Sequence, residues 1–180
     1  MRKNIEKVIE IPEKVSVEVK LNEVIVKSES KELKRTFDFG KISSKLEGNK
    51  INLIAERATR KELKMMGTIA AHLRNMIKGV QEDFVYKLEI CNVHFPMNVK
   101  VEGDIVRIKS FLGEKIDRIS KILPEVKVKV NGNVIEVSSY NIEKAGQTAA
   151  NLEKATIVKG RDRRIFQDGI FITEKPGRII

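Results

Sequence analysis

Valines and one leucine alternate with polar residues at Val15, Val17, Val19 and Leu21, the period-two pattern of a strand with one buried face. The pattern turns at Asn22-Glu23 and returns through Val24, Ile25 and Val26; the polar run SESKELKR then leads to TFDF and to a second hairpin around EGNKINLI (47–54). At Thr59 the period changes. Thr59 with Glu62 three residues on is a capping box, in which each side chain satisfies a backbone N–H that the first helical turn leaves without a partner. Leu63, Met66, Ala70, Leu73 and Ile77 then recur at helical spacing as one apolar face, and Gly79 stands where a C-terminal cap is expected.

The second half of the chain repeats this order. VKVEGDIVRIKS (99–110) echoes VKLNEVIVKS (19–28) with a turn at Glu102-Gly103-Asp104, and SFLGEKIDRI answers SESKELKRTF. In VKVKVNGNVIEVSS (126–139), Asn131-Gly132 between alternating apolar runs is a strong hairpin signal, because both residue types tolerate positive φ. NIEKAGQTAANLEKA follows as a helix capped by Asn141, and its GQTAANL (146–152) matches GTIAAHL (67–73) at the glycine, both alanines and the leucine. A glycine inside a helix costs roughly 1 kcal/mol relative to alanine. Its use twice at one place, with Ala70 and Ala71 beside Gly67 and Ala149 and Ala150 beside Gly146, predicts a close approach of each helix to a sheet.

The predicted fold is therefore α+β: two tandem duplicated modules, each a mainly antiparallel sheet packed against one helix. The boundary falls near residues 80–83, which places the first module at 1–80 and the second at 81–180. No Gly/Ser-rich or Pro-rich linker separates them, so the modules are expected to sit close together. A length of 180 residues with 41% hydrophobic and 33% charged residues is consistent with folded domains rather than disorder.

Charge narrows the partners. Thirty-five Lys and Arg against 25 Asp and Glu leave a net charge of +10, so a polyanion is the expected partner, nucleic acid before an anionic membrane. Charges interrupt every apolar run, and the opening MRKNIEKVIEIPEK lacks a leader's apolar core and cleavage site; the chain reads as cytosolic. Mixed charge signs and small apolar faces suit the helices to packing on sheets rather than to lying in a membrane. The single cysteine, Cys91, cannot form an internal disulfide and fits a reducing compartment.

Catalytic patterns are absent. His72 sits beside the apolar face of the first helix with no nucleophile pattern near it. Cys91 and His94 have a metal-like spacing but no second pair to complete a zinc site, and Cys91 reads as a strand-core thiol. No phosphate-binding glycine loop, zincin helix or nucleophile elbow occurs. A protein without enzymatic activity, metal or cofactor is expected.

The basic residues concentrate at the C-terminal end. From about residue 154 to 180 the chain carries Lys154, Lys159, Arg161, Arg163, Arg164, Lys175 and Arg178 against Asp162, Asp168 and Glu174, with no clear helical or strand period. Guanidinium forks pair bidentately with phosphate and stack on exposed bases, which suits folded RNA; a solvated charged tail is the other reading. Phe166 and Phe171 either anchor this tail on the second module or stack on bases. RATRKELK (57–64), with cations at a helix start that the dipole does not favour, is a weaker candidate surface.

The duplicated modules, the GxxAAxL pattern in each helix and the tail KGRDRRIFQDGIF together resemble the L-six family of large-subunit ribosomal proteins, in its archaeal and eukaryotic-type form. The resemblance covers essentially the whole chain and is most specific from Gln147 through Gly169; the bacterial Pro-Glu-Pro-Tyr-Lys-Gly-Lys-Gly type of tail is missing. It implies a structural constituent of the large ribosomal subunit, bound to large-subunit rRNA near the sarcin-ricin loop. Neighbouring ribosomal proteins of the stalk base and transient proximity to translation factors are implied with it. By position, Gln147, Asn151, Lys154, Lys159, Arg161, Arg163, Arg164 and Phe166 would face the rRNA, with Lys175 and Arg178 further along the same tail. SESKELKR lacks the glycine that the second module keeps as Gly113, so no RNA contact is expected from the first module's loop by the same backbone path. The alternative is a non-ribosomal RNA-binding regulator built on the same two modules.

Overall fold

The computed structural model describes residues 3–20, 22–28 and 30–180, and the chain forms two compact units, 1–82 and 83–180. The first unit contains β1 (Lys3–Glu10), β2 (Ser16–Lys20), β3 (Glu23–Lys27), β4 (Glu32–Thr36), β5 (Ser43–Glu47), β6 (Lys50–Ala58) and α1 (Arg60–Gln81). Two three-stranded antiparallel sheets result, ordered β1-β6-β5 and β2-β3-β4. Helix α1 packs on β1 and β6 of one sheet and on β3 and β4 of the other. Its buried face carries Met66, Ile69, Ala70, Leu73, Met76, Ile77 and Val80, and Val24 and Val26 of β3 and Ile51 and Leu53 of β6 are buried as well.

Several expectations shift by a residue or a role. The β2–β3 turn precedes Glu23, which already pairs with Lys20 in the ladder, and Asn22 lies in the turn; the expected Leu21 lies outside the described residues. The last four residues of SESKELKR with Thr36 are a full strand, β4 (32–36), in which Leu33 reaches the core and Arg35 on the same face is half-buried while Glu32 and Lys34 face water. The capping box forms, with Thr59 accepting from the Lys61 N–H and the Glu62 carboxylate accepting from the Thr59 N–H. Leu63 is exposed on α1, and Gly79 is not its cap: the helix runs on to Gln81, with Glu82 at the end in extended conformation and Gly79 buried inside. No atom lies within 4 Å of where a Cβ on Gly67 would stand, so this glycine makes no close approach.

The second unit follows the same plan and then adds to it. It contains β7 (Phe84–Cys91), β8 (Asn98–Glu102), β9 (Ile105–Lys109), a 3-10 turn (Phe111–Gly113), β10 (Arg118–Lys121), β11 (Lys127–Asn131), β12 (Val134–Ser139), α2 (Ile142–Ala155), β13 (Gly169–Lys175) and β14 (Arg178–Ile179). The small sheet is β10-β9-β8, matching β4-β3-β2, and β11-β12-β7 matches β5-β6-β1. Asn131 is the last residue of β11, opposite Val134, and the turn is Gly132-Asn133, with Gly132 at φ +60°. Asn141 caps α2 through the Glu143 and Lys144 N–H groups. A Cβ on Gly146 would stand 2.8 Å from the Tyr86 hydroxyl of β7, so here the close approach is real.

What has no counterpart in the first unit is the far edge of β7. There β13 adds itself antiparallel, with Gly169 opposite Cys91 and Ile172 opposite Leu88, and β14 extends the sheet to five strands. Ile170 is fully buried in the core with Leu88, Ile135, Val137, Ala149 and Leu152. The end of the chain is thus part of the fold from residue 168 onward, not a solvated tail.

Candidate nucleic-acid interface

Between the end of α2 and the start of β13 the chain spans 156–168, and this loop carries the densest cationic run of the sequence. Its first end is held from β10. Arg118 donates through Nη1 to the carbonyls of Ala155 (2.9 Å) and Ile157 (3.1 Å), groups that a helix end otherwise leaves to solvent. The same guanidinium is aimed by a bidentate pair with Glu114 (2.6 and 2.8 Å) and lies over the Phe111 ring at 4.2 Å. Thr156, buried, adds a second tie: its hydroxyl donates to the Glu153 carbonyl and accepts from the Ile170 N–H at 2.9 Å.

The middle of the loop is shaped by Asp162. Asp162 accepts from the Arg164 N–H at 2.9 Å and from the Arg164 guanidinium at 2.7 Å, while its carbonyl accepts from the N–H groups of Ile165 and Phe166. The Arg164 side chain and backbone together hold the Asp162 carboxyl below the usual carboxylate range. Gly160 at φ +69° supplies the left-handed residue that lets the chain turn into this structure. Lys159, Arg161, Arg163 and Arg164 are all exposed around it.

The second end is clamped by a buried carboxylate. Asp168, its side chain only 1% exposed, accepts from the His94 backbone N–H at 2.8 Å and from the His94 ring Nδ1–H at 2.6 Å. Burial alone pushes this carboxyl's pKa up. The His94 N–H and ring and the Phe95 N–H more than offset it, so the group sits below its ordinary value and stays ionised. Phe166 stacks on the His94 ring (centroids 4.7 Å apart, 27° between planes), and the Arg161 guanidinium lies 4.8 Å from the Phe166 centroid. Gly169 leaves room for the Phe171 ring, 3.1 Å from where a Cβ would stand.

The predicted residues fall into three groups. Lys154, Lys159, Arg161, Arg163, Arg164 and Phe166 come together on or beside the loop. Gln147 and Asn151 lie one turn apart on α2 and hydrogen-bond each other at 2.8 Å. Lys175 and Arg178 pair across the β13–β14 turn, at the other end of a seven-residue strand from Gly169, about 20 Å along it; they form a separate patch. Phe166 anchors the loop through His94.

Arg118, His94, Asp168 and Thr156 hold the loop in place and no sequence pattern marks them, since Asp168 and His94 are 74 residues apart and no spacing links them. Cys91 is half-buried at the end of β7 rather than in a strand core, and burial raises its thiol pKa. Among the described residues, no three acidic, histidine or cysteine side chains are placed to hold a metal, and no helix is long and apolar enough to cross a membrane. His72 is half-buried against the Phe37 ring, with a ring nitrogen 3.4 Å from an Arg35 nitrogen. At α1, Arg57, Arg60, Lys61 and Lys64 are exposed, and Arg57 holds φ +48° with its N–H on the Asn4 side chain.

A duplicated α+β protein with a clamped, arginine-rich loop on its second copy is thus defined. Residues 11–83 and 95–169 match the family model described as Ribosomal protein L6, one segment in each unit. The chain belongs to that family, whose members are structural proteins and not enzymes. It is 51% identical over 172 residues to the large ribosomal subunit protein uL6 of Methanococcus vannielii, covering 96% of this chain and 94% of that protein. The uL6 protein of Methanosarcina mazei is 47% identical over 175 residues, covering 97% and 99%.

Proposed function

We propose that this protein is a constituent of the large ribosomal subunit in the cytoplasm and that it grips large-subunit rRNA with the loop between α2 and β13. The observation that carries this reading is the loop's construction: four exposed cations on a backbone held at both ends and shaped in the middle, in a chain whose near-full-length relatives are large-subunit proteins. Arginines on a prebuilt loop meet phosphates without first losing conformational freedom, and the counterions they release give affinity that falls steeply with salt. Gln147, Asn151 and Lys154 extend the surface along α2. Lys175 and Arg178 supply a second, more distant contact.

In this reading the second unit braces rRNA near the sarcin-ricin loop and the stalk base. Neighbouring proteins of the stalk base lie beside it and translation factors pass close by, as the family resemblance implies. The test is co-sedimentation of a variant with Arg161, Arg163 and Arg164 all replaced by Ala. It is expected to leave washed large subunits at moderate salt where the parent protein stays bound, and its binding to purified large-subunit rRNA should show a salt slope smaller by about two to three. Unchanged retention on subunits would refute the assignment.

A further inference from the structure

Beneath the arginine loop lies a cavity of about 960 Å³, bounded by the end of β7, the C-terminal end of α2 and the start of β13. This is within the range of roughly 300–1,000 Å³ typical of sites that enclose a small organic group. Its apolar lining comes from Val93, Ile157, Val158, Phe166 and Phe171, and Cys91 also faces it. Val93 is 71% exposed, Ile157 39% and Phe171 37%, so this surface is open to a ligand rather than sealed into the core. Lys154, Arg163 and Arg164 stand on the same cavity, and Glu153 and Gln167 place an acceptor and an amide there.

These two halves ask for different parts of one ligand. Phosphates explain the cations but gain nothing from an apolar floor, and an RNA duplex presents only backbone and groove edges. An unstacked nucleotide supplies both a flat apolar base for the floor and flanking phosphates for the rim, with base-edge donors and acceptors for Glu153 and Gln167. We infer that this cavity receives an unpaired, splayed-out nucleotide of the bound RNA. The Asp168–His94 clamp keeps Phe166 in place as one wall. This inference rests on the RNA-binding reading above and specifies what that surface selects: a bulged or looped nucleotide rather than regular helix.

The single cysteine provides the test. Alkylating Cys91 with N-ethylmaleimide places a bulky uncharged group in the cavity beside its apolar floor and changes no Lys or Arg; tyrosine fluorescence and circular dichroism establish that the treated protein is folded. Native and alkylated protein are each bound at saturation to purified large-subunit rRNA and mapped by hydroxyl-radical cleavage of the backbone and by base-modifying reagents. The expected result is a backbone footprint shared by both proteins, about tenfold weaker binding after alkylation, and an unpaired base protected only by the native protein. A base protected equally by both, or no unpaired base protected by either, overturns the cavity assignment while the shared backbone footprint preserves the RNA-binding reading. An unchanged rRNA footprint with loss of a neighbouring protein from reassembled subunits also overturns it, assigning the cavity to a protein segment. No salt-sensitive backbone footprint from the native protein refutes both readings.

Discussion

Helices α1 and α2 occupy the same place in their units and share one Gly-x-x-Ala-Ala-x-Leu pattern, but their ends lead to different things. From α1 the chain passes through Glu82 into β7 of the next unit, and the Glu82 N–H on the Lys78 carbonyl closes the last turn. Helix α2 is capped by a cation from the small sheet, continues into a cationic loop, and is followed by a strand that its own Thr156 helps to dock. In the first unit β1 is the edge strand of its sheet, whereas the equivalent β7 is flanked on both sides. A duplicated scaffold thus holds a structured basic loop only where an added strand, β13, anchors the loop's far end. The cations alone do not shape this loop; the strand that returns to β7 does.

This contrast can be broken at the clamp. Asp168→Ala removes the acceptor shared by His94 and Phe95 and is expected to destabilise the second unit by about 2 to 3 kcal/mol, with weaker rRNA binding although every Lys and Arg remains. The chain has no tryptophan, and its two tyrosines, Tyr86 and Tyr140, both lie in the second unit. Denaturation followed by tyrosine fluorescence therefore reads this unit, while far-ultraviolet dichroism reads both; a midpoint unchanged by fluorescence would mean that the loop is not clamped there.

The paired glycines sharpen the comparison next, because equal positions in the repeat predict opposite signs. Gly67→Ala meets open space and should stabilise the first unit by up to about 1 kcal/mol through helix propensity. Gly146→Ala meets the Tyr86 hydroxyl, and overpacking of about 1 to 3 kcal/mol should exceed that gain, leaving a net loss visible by tyrosine fluorescence. Equal shifts for the two variants would contradict the packing difference. A smaller effect is expected for Thr156→Val, which leaves the buried Ile170 N–H without its acceptor at a cost of about 1 kcal/mol, measured in the same way.

The smallest difference is in acid. Because the folded pKa of Asp168 lies below its ordinary value of 3.8, the clamp's contribution is complete above that pH and is lost as the pH falls through the lower, folded value. The parent's second unit should lose stability there more steeply than the Asp168→Asn variant; parallel acid profiles from fluorescence would show that the carboxylate's charge does not matter.

Much of the fold was legible because its signals are local. The capping box at Thr59 and Glu62, the Asn141 cap and the Gly48, Gly103 and Gly132 turns each depend on residues a few positions apart. β4 and β13 were illegible for opposite reasons. In β4 the charged residues of SESKELKR mask one strand face whose inward positions include Leu33, and in β13 the apolar run is short and opens on Asp168-Gly169, a pair that signals a turn rather than the start of a strand. The arginines of the proposed site stand out as a run in the sequence, but Arg118, His94 and Asp168 do not: each acts on a segment tens of residues away.

By itself the sequence determined the duplication, the α+β class, both helix starts and the concentration of positive charge after α2, because periodicity, capping and charge are properties of neighbours along a chain. Only the tertiary structure decided that the last residues complete a sheet, that Gly146 and not Gly67 answers a close contact, and that the basic run is a loop held at both ends over an apolar cavity. Those outcomes depend on which distant groups share a buried carboxylate, a helix end or a sheet edge, and such meetings are set by packing, which brings together residues that no sequence spacing connects.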